Sequence, residues 1–187
     1  MMLQSFNFTS QHASKRSSAV VKGWLAISGL ALLSACSGFQ QVQPGTSYSE
    51  LVQRFGMPQQ QCQSDSTAGG QILNWSGQPM GRFAWTAELD EAERVVSMQQ
   101  MLSDTGFAKL NTGDWDQQRV ACWFGRPALI EQARYQGKRH ETWTYRYLQP
   151  AQYLAHFYIY FDESGQVRHF HPGPDPLEMN DGWFFRP

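Results

Sequence analysis

The chain carries little net charge and has no apolar run as long as a comfortable transmembrane helix. Its net charge is −1 over 187 residues, whereas a nucleic-acid-binding protein needs a basic patch. The apolar stretch at residues 24–35 is shorter than the roughly 20 residues that span a bilayer. The composition therefore argues against a nucleic-acid partner and against a membrane-spanning helix at this stretch.

Familiar catalytic motifs are also missing. The sequence has no phosphate-binding glycine-rich loop, no Gly-x-Ser-x-Gly elbow and no zinc-protease motif. His169 and His171 share one face of a predicted strand, and Asp175 follows them, but no Cys or Glu stands at ligand spacing. A surface strand with two histidines is therefore favoured over a metal site. We expect no enzyme, no catalytic residue, no metal and no cofactor.

The N-terminal region is typical of a secreted lipoprotein. Basic residues precede the apolar stretch, which ends in Leu33-Ser34-Ala35-Cys36. This order matches a bacterial signal peptide with a lipobox, in which the cysteine is lipidated and becomes the mature N-terminus. The sequence therefore predicts a signal peptide at 1–35 and lipidation at Cys36. By resemblance to bacterial lipoproteins, in which Asp after the cysteine favours inner-membrane retention, Ser37 indicates the outer membrane.

Two similar helix segments organise the mature chain. In the first, Ser47 is the predicted N-cap and Glu50 closes a capping box. Four apolar residues follow at helical spacing, and a Gly-x-Pro stop ends the segment. The second copy has Asp114 or Asp116 as its cap and the same kind of stop, with one extra residue before it. Each copy predicts a short amphipathic helix.

Strands follow each helix, and their landmarks recur at a spacing of 68 to 72 residues. The matched landmarks are Pro58 and Pro127, Trp75 and Trp143, Gln78-Pro79 and Gln149-Pro150, and Leu89-Asp90 and Phe161-Asp162. This regularity favours an internal duplication. We predict an α+β fold of two tandem repeats, each with one or two short helices and a three-stranded antiparallel sheet. The predicted boundaries are a tether at 36–44, repeats at 45–102 and 103–172, and a tail at 173–187, because the prolines after His171 should end the last strand.

These motifs resemble the SmpA/OmlA (BamE-like) family of bacterial outer-membrane lipoproteins over residues 42–171. The second repeat carries most of the family pattern, in Val120, Gly125, Pro127, Trp143, Tyr145, Phe161, Asp162 and Gly165. The first repeat carries Gly45, Val52, Gly56, Pro58, Trp75 and Asp90, but has Glu93 where Gly is usual. The resemblance implies a periplasmic protein anchored to the outer membrane that contacts envelope proteins such as the β-barrel assembly machinery. A tandem of such units is also similar to the secreted β-lactamase inhibitor proteins.

Two cysteines remain once Cys36 is set aside. Cys62 follows the first helix and Cys122 lies inside the second, so a disulfide between them would join the two repeats. An oxidising periplasm permits that bond. The alternative is two buried thiols, because Cys often packs as a small hydrophobe. Both remain open from the sequence.

An aromatic strand near the C-terminus offers a candidate binding face. Alternation places Ala155, Phe157, Ile159 and Phe161 in the core, as it does Phe83, Trp85, Ala87 and Leu89 in the first repeat. His156, Tyr158 and Tyr160 then point the other way, beside Arg146. Tyr and Arg are enriched in binding hot spots. These side chains either form an open binding face or are covered by the other repeat or the tail.

The sequence thus predicts a non-catalytic protein-binding lipoprotein of outer-membrane assembly or envelope maintenance. The alternative is a periplasmic protein inhibitor of a hydrolase, which would use the same sheet face.

Overall fold

The computed structural model describes residues 38–64, 69–150 and 153–176. The predicted signal peptide and Cys36 lie outside these ranges, as does the predicted tail beyond residue 176. The described chain contains three short α-helices and two antiparallel sheets of four strands each. It is therefore an α+β fold, as the sequence predicts, but with one more strand in each sheet.

The first half begins with helix α1, Tyr48–Phe55. Its N-cap Ser47 accepts a hydrogen bond from the Glu50 backbone N–H at 3.3 Å, and Gly56 ends it with φ of 77°. Four strands follow: β1 Gln60–Gln63, β2 Gln71–Ser76, β3 Ala84–Leu89 and β4 Val95–Gln100. They form the first sheet in the order β1-β2-β3-β4.

The second half has the same order of elements after a short lead-in. Helix α2, Asp104–Phe107, runs into a 3₁₀ turn at Ala108–Asn111. Helix α3, Gln117–Phe124, is capped by Asp116, whose carboxylate accepts from the Arg119 backbone N–H at 2.7 Å. The strands β5 Leu129–Tyr135, β6 Lys138–Leu148, β7 Leu154–Phe161 and β8 Val167–Pro174 form the second sheet in chain order.

The three-stranded prediction is wrong in both halves because edge strands lack a clear apolar pattern. Strand β5 is exposed along most of both faces, so its sequence shows no alternation of buried and exposed residues. The sequence feature that indicates a hairpin here is Gly137, because the Gln136-Gly137 turn needs positive φ, 49° and 79°, at both residues. At the other edge, β8 runs on to Pro174 rather than ending before the prolines, because an edge strand tolerates residues that cannot donate to a ladder.

The layers alternate between helix and sheet. Helix α1 covers one face of the first sheet, where Leu51 packs with Leu73, Ala87 and Leu89. Helix α3 contacts β1, β2 and β3 on the other face of the same sheet. Its Val120 and Phe124 also enter the core of the second sheet. Helix α3 is therefore shared by both sheets, and its position covers one face of each.

This sharing corrects the expected half-exposed pattern of β3. The predicted alternation leaves Ala84 and Thr86 on the face opposite Trp85 and Ala87, yet both are buried, at 0% and 2% exposure. The Thr86 hydroxyl and the Asn74 amide both donate to the Trp123 carbonyl of α3, at 2.6 and 3.1 Å. Phe83, assigned to the core, precedes the strand and is 41% exposed.

The segment before α1 is also part of the fold. Residues 36–44 were predicted as a tether, but Phe39–Gln41 form a 3₁₀ turn and Val42 is 8% exposed. The Phe39 ring stacks on Phe55 at 4.0 Å between centroids and on Trp85 at 5.6 Å. The described chain is therefore fixed to the first sheet almost from its first residue.

Candidate functional site

The four predicted face residues lie together on the second sheet. Strand register places Arg146 opposite His156, while Tyr158 and Tyr160 face Thr144 and Thr142 of β6. All four side chains point away from the buried aromatic core that α2 and α3 cover on the inner face. We call this outer surface the aromatic face; it comprises Tyr135, His140, Arg146, His156, Tyr158, Tyr160, His169 and His171.

One end of the aromatic face is organised by a buried ion pair. The Arg146 guanidinium lies 3.1 Å from the Asp175 carboxylate, which is 1% exposed. The second Asp175 oxygen lies 3.5 Å from Nε2 of His156, and Nδ1 of His156 lies 3.4 Å from the Tyr158 hydroxyl. These contacts connect β6, β7 and the end of β8, and they neutralise the charge of Arg146 locally.

The middle and far end of the aromatic face are a stack of rings. Tyr135 lies flat against His169, with ring centroids 4.1 Å apart. The Tyr160 hydroxyl is 3.1 Å from Nε2 of His171, and the Tyr158 ring lies 5.2 Å from the His171 ring. The rings hold one another in place, so their rotamers are fixed before any partner arrives.

Burial disfavours the charged forms of four side chains on this face, His156, Tyr158, Tyr160 and His169. It lowers the pKa of His156 against the opposing effect of the Asp175 carboxylate, with the Arg146 guanidinium acting in the same direction as burial. It also lowers the pKa of His169, which His171 lowers further. The pKa values of Tyr158 and Tyr160 are raised by burial first and by the Glu131 carboxylate second. These shifts favour the neutral forms of the four side chains, which can both donate and accept hydrogen bonds.

A shallow groove of about 890 Å³ adjoins this face at the hairpin tips. Its lining includes Lys138, Arg139, Arg168 and the Asp162 carboxylate. Hydrogen bonding from the Ser164 hydroxyl, at 2.6 Å, lowers the pKa of Asp162. That carboxylate also accepts the Ser164 and Gln166 backbone N–H groups, so it serves the turn.

The structure contains the bond between Cys62 and Cys122, with Cα atoms 6.0 Å apart. Of the two alternatives left by the sequence, it therefore has the disulfide, which connects edge strand β1 to α3. Cys36 lies outside the described residues. Over the described ranges, no three His, Cys, Asp or Glu side chains cluster so as to hold a metal ion. None of the helices described there is long and apolar enough to cross a membrane.

Sequence reasoning did not include Tyr135, His140, His169 and His171 in this face, nor Asp175 at its end. Tyr135 and His140 were missed because β5 and the start of β6 were not recognised as a hairpin. Asp175 was considered only as a metal ligand, whereas it binds Arg146 and His156. His169 and His171 were correctly placed on one strand face, which was the signal for extending the site to β8.

Comparison with known proteins does not identify a family or a function for this chain. No family model matches the chain, and no curated protein matches its sequence. A solved structure from Streptococcus mutans, named "putative beta-lactamase inhibitor protein", aligns with 84% of this chain and 98% of its own at 13% identity. The TM-score is 0.30, and at that value the likeness carries no argument about fold or function.

Proposed function

We propose that this chain is a periplasmic lipoprotein, anchored to the outer membrane through Cys36, that binds envelope proteins through its aromatic face and catalyses no reaction. Its role is outer-membrane assembly or envelope maintenance, with subunits of the β-barrel assembly machinery as the expected class of partner. The lipobox and the outer-membrane address come from the sequence alone.

The observation that carries the binding role is the character of the aromatic face. It combines half-buried Tyr and His rings, a neutralised Arg146 and a charged rim that includes Glu131 and Lys138. Protein interfaces have this arrangement of an uncharged, aromatic centre and a polar rim. Tyrosine also loses little side-chain entropy when a partner immobilises it, which favours binding by a preformed surface.

Matching contacts in the two halves support the proposal of tandem BamE-like repeats. The first helical N–H of α1, at Tyr48, donates to the Glu93 carbonyl at 3.0 Å, and that of α3, at Gln117, donates to the Gly165 carbonyl at 3.0 Å. Glu93 and Gly165 occupy the same left-handed position in their hairpins, with φ of 56° and 78°. Glu93 thus takes the backbone conformation for which the family pattern usually has Gly.

In-cell photocross-linking tests the binding role. A photoreactive phenylalanine analogue replaces Tyr158, and its adducts are identified by mass spectrometry. The matched control carries the same analogue at Val96, which is 44% exposed on the first sheet. We expect envelope proteins, including barrel-assembly subunits, in the adducts from position 158 and not in those from position 96.

Other results would change the proposal in defined ways. Adducts made only with a soluble hydrolase would replace envelope assembly by inhibition, the alternative that the sequence raised. Identical adducts at both positions, or none at position 158, would remove the aromatic face as the binding site.

A further inference from the structure

Exposed apolar side chains collect at one end of the molecule. Met57, Met80 and Phe83 are 66%, 77% and 41% exposed, and Leu148 and Tyr153 are 38% and 68% exposed. Single exposed apolar residues are common, whereas a group of them at one site marks an interaction surface. We call this group the apolar end.

Hydrogen bonds show that its first three members are neighbours. Met57 follows Gly56, whose carbonyl accepts the Trp75 indole N–H at 3.0 Å near the end of β2. Met80 and Phe83 lie in the loop from β2 to β3, which the Gly77 N–H closes by donating to the Phe83 carbonyl at 2.9 Å. All three therefore lie where β2 ends and β3 begins.

The same loop connects this cluster to the second sheet. The Gln78 side-chain amide donates to the Arg146 carbonyl at 2.8 Å and accepts from the Arg146 N–H at 3.2 Å. Leu148 lies two residues further along β6, and Tyr153 lies in the connection to β7. The apolar end therefore extends over both sheets at the ends opposite their charged hairpins.

The anchor cysteine is attached to the chain close to this end. Phe39 contacts Phe55, Trp75 and Trp85, which adjoin the loop that holds Met80 and Phe83. Phe39 is the third residue after Cys36, and three residues of fully extended chain span at most about 11 Å. Acyl chains on Cys36 would therefore enter a membrane within a short distance of the apolar end.

The two ends also differ in how many charged side chains they carry. The connecting segments 56–59, 77–83, 125–128 and 148–150 contain Arg82 and Arg126 and no acidic residue. The hairpins at the opposite end, 90–94, 136–139 and 162–166, contain five acidic residues and three basic ones, Arg94, Lys138 and Arg139. Because it is costly to place charged groups in a bilayer, the sparsely charged end is the one suited to membrane contact.

We propose that the apolar end is a membrane-contacting surface, with Met57, Met80 and Phe83 seated in the headgroup–acyl boundary of the leaflet that holds the lipid on Cys36. This inference rests on the lipidation in the proposed function, and it adds a fixed orientation. The apolar end faces the bilayer, the charged hairpins face the periplasm, and the strands run between them.

Fluorescence quenching in vesicles tests this orientation. Cys62 and Cys122 are bonded and Cys36 is lipidated, so a cysteine introduced by Met80→Cys or Met57→Cys is the free thiol for a polarity-sensitive dye. The matched control is Val96→Cys, which lies at the far end of the first sheet. The mature lipoprotein is reconstituted into vesicles of phosphatidylethanolamine and phosphatidylglycerol with or without brominated acyl chains.

We expect brominated lipid to remove about half of the dye emission or more at positions 57 and 80, as for a group 5–10 Å into the interface, and to leave position 96 unchanged. Equal emission at all three positions, with the protein floating with the vesicles, overturns the inference and leaves the anchor intact. A protein that does not float with vesicles refutes the lipidation, and the inference with it. Equal quenching at all three positions also overturns the inference, because the molecule then has no preferred end.

Discussion

Asp175 lies just after β8 and contacts side chains from both β6 and β7. Its carboxylate binds Arg146 and faces Nε2 of His156. The neutral form of His156 suits this geometry, because Nε2–H can donate to Asp175 while Nδ1 accepts from the Tyr158 hydroxyl. Protonation of Nδ1 would remove this acceptor, so the charged ring could not accept the hydrogen bond from Tyr158.

The lowered pKa values of His156 and His169 predict how stability depends on pH. In the unfolded chain these imidazoles titrate near 6.5, and in the folded protein they titrate lower. The unfolded state therefore binds more protons as pH falls, and the free energy of unfolding decreases below about pH 6.5. We expect the double variant His156→Gln/His169→Gln to lose less stability between about pH 7.5 and about pH 5.5 than the parent protein.

Urea unfolding at the two pH values measures this difference. Lys138→Gln changes a charge on the rim of the same face without removing an imidazole, so it should keep the pH dependence of the parent. An equal decrease in the double variant and the parent would show that other groups cause it.

At the scale of elements, α3 and edge strand β1 are joined covalently by Cys62 and Cys122, which are separated by 60 positions in the chain. A cross-link over that distance lowers the entropy of the unfolded chain by an amount worth about 4 kcal/mol in the chain-entropy model. We predict that Cys62→Ala/Cys122→Ala lowers the free energy of unfolding by about this amount. Urea titrations of the oxidised protein and the variant measure it.

Reductant provides the internal control for this prediction. It should bring the midpoint of the parent towards that of the double variant and leave the variant unchanged. A double variant with the same midpoint as the oxidised parent would mean that noncovalent contacts of α3, such as those from Asn74 and Thr86 to the Trp123 carbonyl, already provide the full stability.

The elements also show which parts of the fold can be predicted from the sequence. Helices α1 and α3 were predictable because Ser47, Asp116, Gly56 and Gly125 act locally, through caps and stops within one or two turns. Strand β7 was predictable because its inner face is fully buried, whereas His156 and Tyr158 on its outer face are only partly buried. Strand β5 was not, since an edge exposed on both faces has no period to detect.

Contacts between the two halves could not be predicted from local sequence patterns, because they join residues that are far apart in the chain. Nothing near Ala84 or Thr86 in the sequence indicates that a helix more than 30 residues away will cover them. The ion pair between Arg146 and Asp175 likewise depends on the long course of β8. Of the candidate site, the alternation of β7 gave His156, Tyr158 and Tyr160, while the residues from β5 and Asp175 required the three-dimensional structure.

At the scale of the whole molecule, the described residues form one compact unit, in which α3 contacts the first sheet while its Val120 and Phe124 lie in the core of the second. We therefore predict a single cooperative unfolding transition. Fluorine NMR of the protein labelled with 5-fluorotryptophan measures both halves at once, through Trp75 and Trp85 in the first and Trp115 and Trp143 in the second. All four native signals should disappear with the same urea midpoint.

Loss of the first-half signals at a lower urea concentration would contradict this prediction. The two halves would then be independent folding units, and the contacts of α3 with the first sheet would contribute little to stability.

The shared helix also has a consequence for biosynthesis. A chain made from its N-terminus completes β1 to β4 before Gln117–Phe124 has been added, so the buried Ile72 and Ala84 face of the first sheet has no cover during that interval. An uncovered sheet face and its open edges are sites for association between chains. The nascent first half is therefore the stage at which this protein is most exposed to aggregation, and a folding chaperone would be needed there rather than after the second half has arrived.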